Sequence, residues 1–416
     1  MNLADMLCYA DIDQLTRIAD TYRCECSSHS KNELIQTILM TVQRRDVLES
    51  RVDDMSENDL RFLNSLLFER RAAYSLEELT ARAQTAAPEG EEAKGTEART
   101  EPDKPKGRKR AARKQPEPPP QPESSARSAI ARFKRFGWLF NGFSHQTRFL
   151  YHVPEDVKRR LCDALDQRYR MLLDIREEPP VYRDERGLAA SDLKEFLRFV
   201  QRNDVPLTTE QAMYKRQIQQ VLELMSVSEQ LPGKSGWRFG YGRRFRDYPD
   251  RFSLLYDYGC YAGWIAELPE RLELTEEGAK RAAGERPVDP LDLYRFWLRL
   301  YKGPVPNLIS LVHWISRLAG EWTTVSSLGQ ILLPLIRPFY YDTPEDVLRS
   351  RVLAMMMHLG LLSWGETAEG EAVVRMTPQG RQMVTGSEVG FEDRLPWADA
   401  MAGEPSAVFG GFPPGS

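Results

Sequence analysis

The chain has 416 residues, of which 41% are hydrophobic, and 57 Lys and Arg face 61 Asp and Glu. That length accommodates two or three domains with cores of their own, and a net charge of −4 excludes a protein that coats nucleic acid by bulk electrostatics, so DNA contact has to come from local patches. Five scattered cysteines exclude a disulfide framework, and no apolar run approaches the roughly 20 residues that span a bilayer.

Residues 1–85 read as a helical domain. Leu15, Ile18, Ala19 and Tyr22 share one helix face, and Leu34, Ile35, Ile38 and Leu39 share the next. Ser30, Ser56 and Ser75 stand where helix caps are expected, and Ser30 with Glu33 forms a capping-box pattern. The start, Met1 to Cys8, lacks a basic region and meets Asp11 and Asp13 early, so it is not read as a secretory signal. The expected location is the cytoplasm, in association with the nucleoid if DNA is bound.

Residues 86–129 are expected to be a disordered, charged, Pro-rich linker, because they hold too few large apolar side chains to offset the entropy of ordering. Its charge is segregated, acidic before position 104 and wholly basic over 104–114, which includes Lys109 and Arg110.

Residues 130–288 read as a first winged-helix-like region and 289–385 as a second winged-helix-like unit, followed by a flexible tail over 386–416. Helical spacing is found at 154–174, 191–202, 209–225, 250–266, 290–302, 306–318 and 344–359. One phrase occurs twice, as Leu272-Glu-Leu-Thr-Glu-Glu-Gly278 and as Val374-Arg-Met-Thr-Pro-Gln-Gly380. Apolar and charged residues alternate as in a half-buried strand, and a threonine then caps a helix with Glu or Pro in its first turn. Val205-Pro-Leu-Thr208 is a weaker third instance. Residues 361–364 and 372–376 form the last hairpin, with an acidic tip at Glu366, Glu369 and Glu371. The expected fold is therefore mainly α, with an N-terminal helical domain and tandem winged-helix-like units closed by small β-hairpins.

No catalytic constellation is found. Gly233-Lys-Ser235 ends like a phosphate loop, but Ser228 stands where that loop needs its first glycine. Cys24, Cys26 and His29 lack zinc-site spacing, and the histidines have no nucleophile beside them. The expectation is a protein that is not an enzyme and needs no cofactor or metal.

Three patches could bind. The segment 237–248 interleaves Arg238, Arg243, Arg244 and Arg246 with Trp237, Phe239, Tyr241, Phe245 and Tyr248; arginine forks suit phosphates and aromatic faces suit bases. The alternative is a loop whose aromatics pack inward and whose arginines face solvent. The basic run 104–114 attracts phosphate or serves as a solubilising spacer. Residues 127–143 mix Arg127, Arg132, Lys134 and Arg135 with five aromatics and are read as entry into a core, since so many rings are costly in water. Phosphate repels the acidic last wing, so any DNA contact by the second unit falls to the preceding helix, at Arg349 and Arg351.

The stretches 11–22 and 29–39 resemble the helix-extended-helix of SAP-type DNA-binding modules, without the usual central glycine. The order of Met55 to Leu63, Val205 to Thr208 with Tyr214-Lys-Arg216, His358 to Leu362 and Met376 to Gly380 resembles bacterial proteins that carry the XPB-type helicase N-terminal, or helicase-associated, domain. That resemblance implies winged-helix units and association with DNA or with a helicase, and no ATPase. The first expectation is DNA binding through the first unit; the rival is a protein-protein adaptor docking through the second, with no membrane involved.

Overall fold

The computed structural model describes residues 1–24, 30–69, 71, 73–87, 122–233 and 241–386, with side chains described from residue 125 onward in the helix that begins at 122. Two compact units emerge, Met1–Gln167 and Arg168–Ser416. The fold is mainly helical with small antiparallel sheets, as the periodicity indicates.

The first unit holds α1 (Leu3–Tyr9), α2 (Ile12–Thr21), α3 (Lys31–Val42), α4 (Arg45–Asp53), α5 (Glu57–Leu67), α6 (Leu76–Ala86), α7 (Pro122–Arg135), β1 (Phe140–Asn141), β2 (Tyr151–His152) and most of α8 (Glu155–Arg170). The caps are where the sequence puts them: Ser30, Ser56 and Ser75 accept from the backbone N–H of Glu33, Asp59 and Glu78, satisfying donors that a helix start leaves open.

The expected linker ends early. Helix α7 begins at Pro122, and it packs on α2 and α6. Its Phe133 lies 4.8 Å from Phe62 and 5.6 Å from Trp138, all three buried. Tyr74 and Tyr151 exchange backbone hydrogen bonds of 2.8 Å each way. Residues 130–167 thus belong with the first unit and not with a winged-helix region beginning at 130. The reading of 127–143 as core entry accounts for this, because burying a Phe or Trp stabilises by about 2–3 kcal/mol.

In the second unit two helix-strand-helix-helix-hairpin series follow one another. The chain first places β3 (Val181–Arg183), then α9 (Leu188–Arg202), β4 (Val205–Pro206), α10 (Lys215–Leu224), α11 (Asp250–Tyr261), β5 (Ile265–Glu267), β6 (Arg271–Leu274) and α12 (Glu276–Ala283). Helix α13 (Pro290–Tyr301) leads into α14 (Leu308–Leu318), β7 (Thr323–Thr324) and α15 (Val325–Leu332). One long third helix comes next: α16 (Pro344–Asp346), a π-helical stretch (Val347–Leu353) and α17 (Ala354–His358). Strands β8 (Leu362–Glu366) and β9 (Ala372–Met376) and helix α18 (Pro378–Gly386) close the series. The sheets run β4-β6-β5 and β3-β8-β9-β7, so in each the strand after the first helix pairs with the last strand of the hairpin, which is winged-helix order.

The repeated phrase has one geometry in both copies. Thr275 Oγ1 accepts from Gly278 N–H at 3.1 Å and donates to the Gly263 carbonyl at 2.7 Å. Thr377 Oγ1 accepts from Gly380 N–H at 2.9 Å and donates to the Gly360 carbonyl at 3.0 Å. A Cβ on Gly278 would stand 1.9 Å from the Trp264 carbonyl oxygen, and one on Gly380 2.1 Å from that of Leu361.

Two expectations need correction. Thr208 does not cap a helix: its hydroxyl accepts from Ala212 N–H within a turn where Gln211 has φ of 64°, and α10 starts only at Lys215. The boundary at 288/289 falls between α12 and α13, where one series gives way to the next, but it does not part them into separate bodies. Strand β3, which precedes the first series, pairs with β8 and covers the edge of the second sheet, an edge otherwise open to foreign strands.

Candidate functional site

The arginine-aromatic segment is described from Tyr241 onward; Trp237, Arg238 and Phe239, like Lys109 and Arg110, lie outside the described residues. Helix α11 and the β5–β6 hairpin hold the described part. Glu267 on β5 takes the guanidiniums of both Arg243 and Arg244, the latter at 2.9 Å, and the Tyr256 hydroxyl at 2.8 Å. Burial acts to raise the Glu267 carboxyl, but the two arginines outweigh it and hold it below the usual carboxylate range. Arg244 also donates to the Glu210 carbonyl at 2.6 Å. Asp257, buried on α11, accepts the Arg243 backbone N–H at 2.7 Å, and burial pushes its carboxyl up to about 7.

Tyr241 is only 4% exposed. Its ring packs 4.7 Å from Tyr301 and 5.4 Å from Phe339. Arg351 lies over the same ring at 4.8 Å and reaches Asp250 and Asp342, each at 2.9 Å. The expectation that Tyr241, Arg243, Arg244 and Arg351 face nucleic acid is therefore corrected: carboxylates or packed rings already occupy all four side chains, and removing the arginines would leave part-buried carboxylates unpaired. Tyr241 and Tyr248 pack inward as the alternative reading held, but Arg243 and Arg244 are drawn in to Glu267 as well.

Arg246 and Arg349 remain exposed. Arg246 lies over the Phe245 ring at 5.5 Å, beside a cavity of about 720 Å³ lined by Lys215 but also by Glu210 and Asp247. Arg349 stands on the third helix of the second series, within the π-helical stretch, where the Ala354 N–H reaches back to the Arg349 carbonyl. Such stretches occur often at functional sites. Two residues further on, Arg351 turns inward, whereas Arg349 turns outward over the Trp364 ring at 5.5 Å. Among the described residues the Arg349 guanidinium has no ion pair or hydrogen bond.

Beside Arg349 lies a cleft of about 560 Å³ lined by Arg183, Gln230, Ser350, His358 and Trp364 among others. An ionic cluster lies against it. Arg251, 1% exposed, pairs with buried Asp192 at 2.6 Å and lies 3.6 Å from Glu185, while Glu185 meets His358 Nδ1 at 2.9 Å and pairs with Arg183. Burial would raise Glu185, but His358, Arg183 and Arg251 together hold it below the usual range. Glu229, raised by burial, accepts the N–H groups of Arg251 and Phe252 at 2.9 Å each and so anchors the start of α11.

No local signal marks Arg183, which sits in a mixed-charge stretch and reaches the cleft only because β3 pairs with β8. Chemically the cleft presents two guanidiniums, amide and hydroxyl groups and an indole, with the carboxylates of Glu229 and Asp250 also in its lining; Glu229 is occupied by the Arg251 and Phe252 N–H groups and Asp250 by Arg351, which leaves the Arg349 guanidinium available to an anion beside a flat ring. Among the described residues, no three His, Cys, Asp or Glu side chains gather as a metal-binding group, and no helix is long and apolar enough to cross a membrane. No protein-family model, curated protein or solved structure matches the chain.

Proposed function

We propose that the chain is a non-enzymatic DNA-binding protein that contacts the duplex with the third helix of its second winged-helix-like series. The observation that carries this reading is Arg349: an exposed guanidinium on that helix, uncommitted among the described residues, at the mouth of a cleft that also offers Arg183, Gln230 and Trp364. The equivalent helix of the first series, α11, is buried from Arg251 to Gly259, so it has little surface to lay in a groove. The expected division of labour is thus reversed, with nucleic acid assigned to the second series.

The test is fluorescence anisotropy of a labelled duplex at two salt concentrations. Binding should weaken as salt rises, and Arg349→Ala should lower both affinity and salt slope. No binding at low salt would sink the proposal.

A protein-protein adaptor, including one that serves a helicase, is the second reading. The acidic wing favours it: Glu366 and Glu369 are exposed at the hairpin tip, and phosphate repels them.

A further inference from the structure

A second cavity, of about 300 Å³, opens among the segment after β3, the β8–β9 hairpin and the start of α18. Three arginines from three elements line it, Arg186, Arg375 and Arg381, against a single lining carboxylate, Asp184. Two of the three are held in place. Arg186 Nε lies 2.8 Å from Asp184, and Arg375 stands over the Trp322 ring at 4.6 Å with Glu178 at 3.7 Å. Arg381 is exposed on α18, and among the described residues its guanidinium has no ion pair or hydrogen bond.

The lining also includes Ser363, which is only 4% exposed. Its hydroxyl lies at the cavity wall and makes no side-chain hydrogen bond among the described residues. The neighbouring Thr377 hydroxyl, by contrast, is spent on the Gly360 carbonyl and the Gly380 N–H. A hydroxyl at the cavity wall is free to donate to a bound anion, and the surplus of guanidiniums around it suits an acceptor of negative charge.

We propose that Arg186, Arg375, Arg381 and Ser363 form a phosphate site. A tetrahedral phosphate offers acceptor oxygens in several directions, which suits forked donors arriving from a loop, a strand and a helix better than a planar carboxylate does. The phosphate is either a free anion or one group of a nucleic-acid backbone. The site does not depend on the DNA reading, since Arg349 and Arg183 line a different cavity.

The full chain is to be followed in thermal unfolding with rising inorganic phosphate, against sodium chloride of equal ionic strength, and in a duplex DNA titration. A saturable rise in midpoint, weakened roughly tenfold by Arg381→Gln and measurably by Ser363→Ala, identifies a free-anion site. A similar loss in the DNA titration alone, with no saturable phosphate effect, identifies a backbone phosphate. The Arg381 side chain is exposed, so the first variant should fold as the wild type does, which circular dichroism checks. If phosphate gives no saturable effect and Arg381→Gln and Ser363→Ala both match the wild type with DNA, the site is refuted.

Discussion

Arginines 243 and 244 show how residue type alone misleads. In sequence they sit among aromatics as phosphate ligands would, yet both close on Glu267, a strand residue more than twenty positions away. Replacing both with Ala strands a largely buried carboxylate, and the expected loss is about 2–4 kcal/mol in urea unfolding, with DNA affinity of the folded protein unchanged. Asp257 yields a second prediction. Its folded-state value of about 7 lies above that of an unfolded aspartate, so the folded chain keeps a proton that the unfolded chain releases. Its contribution to stability is therefore complete at acid pH and is lost as pH rises toward about 7, at a slope of at most roughly 1.4 kcal/mol per pH unit. Asp257→Asn should flatten that part of the profile, and a pH dependence identical to the wild type would contradict the assignment.

At the scale of elements, the Thr-capped strand-to-helix joint is the part most legible in sequence. Alternation, a capping threonine and a glycine three residues later are all local, and both copies fold to the same hydrogen bonds. The glycines are there because helix and carbonyl touch. Gly380→Ala should cost about 3 kcal/mol or more, seen as a lower unfolding midpoint, because the Leu361 backbone has to move; a midpoint unchanged within error would mean the joint is looser than described. Less legible were the features set by distant partners. Pairing of β3 with β8 and the docking of α7 on α2 and α6 depend on partners far along the chain; the turn at Thr208 is local, but a threonine that closes a turn and one that caps a helix look alike in sequence. The candidate cleft belongs with the former. Arg349 was readable as a helix position, whereas Arg183 enters only through strand pairing, and the inward turn of Arg351 depends on Asp250 and Asp342.

Over the whole molecule, two compact units carry distinct architectures, and within 168–416 the two winged-helix-like series are not equivalent. The first has its third helix sealed among aromatics and ion pairs; the second keeps that helix partly open beside a cleft. Sequence repetition therefore marks a shared frame, within which the exposure of the third helix differs. On the function proposed above, the open helix and not the arginine-aromatic loop meets nucleic acid. Duplex DNA titrated by anisotropy into the wild type, Arg349→Glu and the Arg243→Ala, Arg244→Ala pair tests it directly. Affinity should be about tenfold or more weaker for Arg349→Glu, with a shallower salt slope, and little changed for the folded double variant. Full affinity in Arg349→Glu, with loss in the double variant, would contradict it.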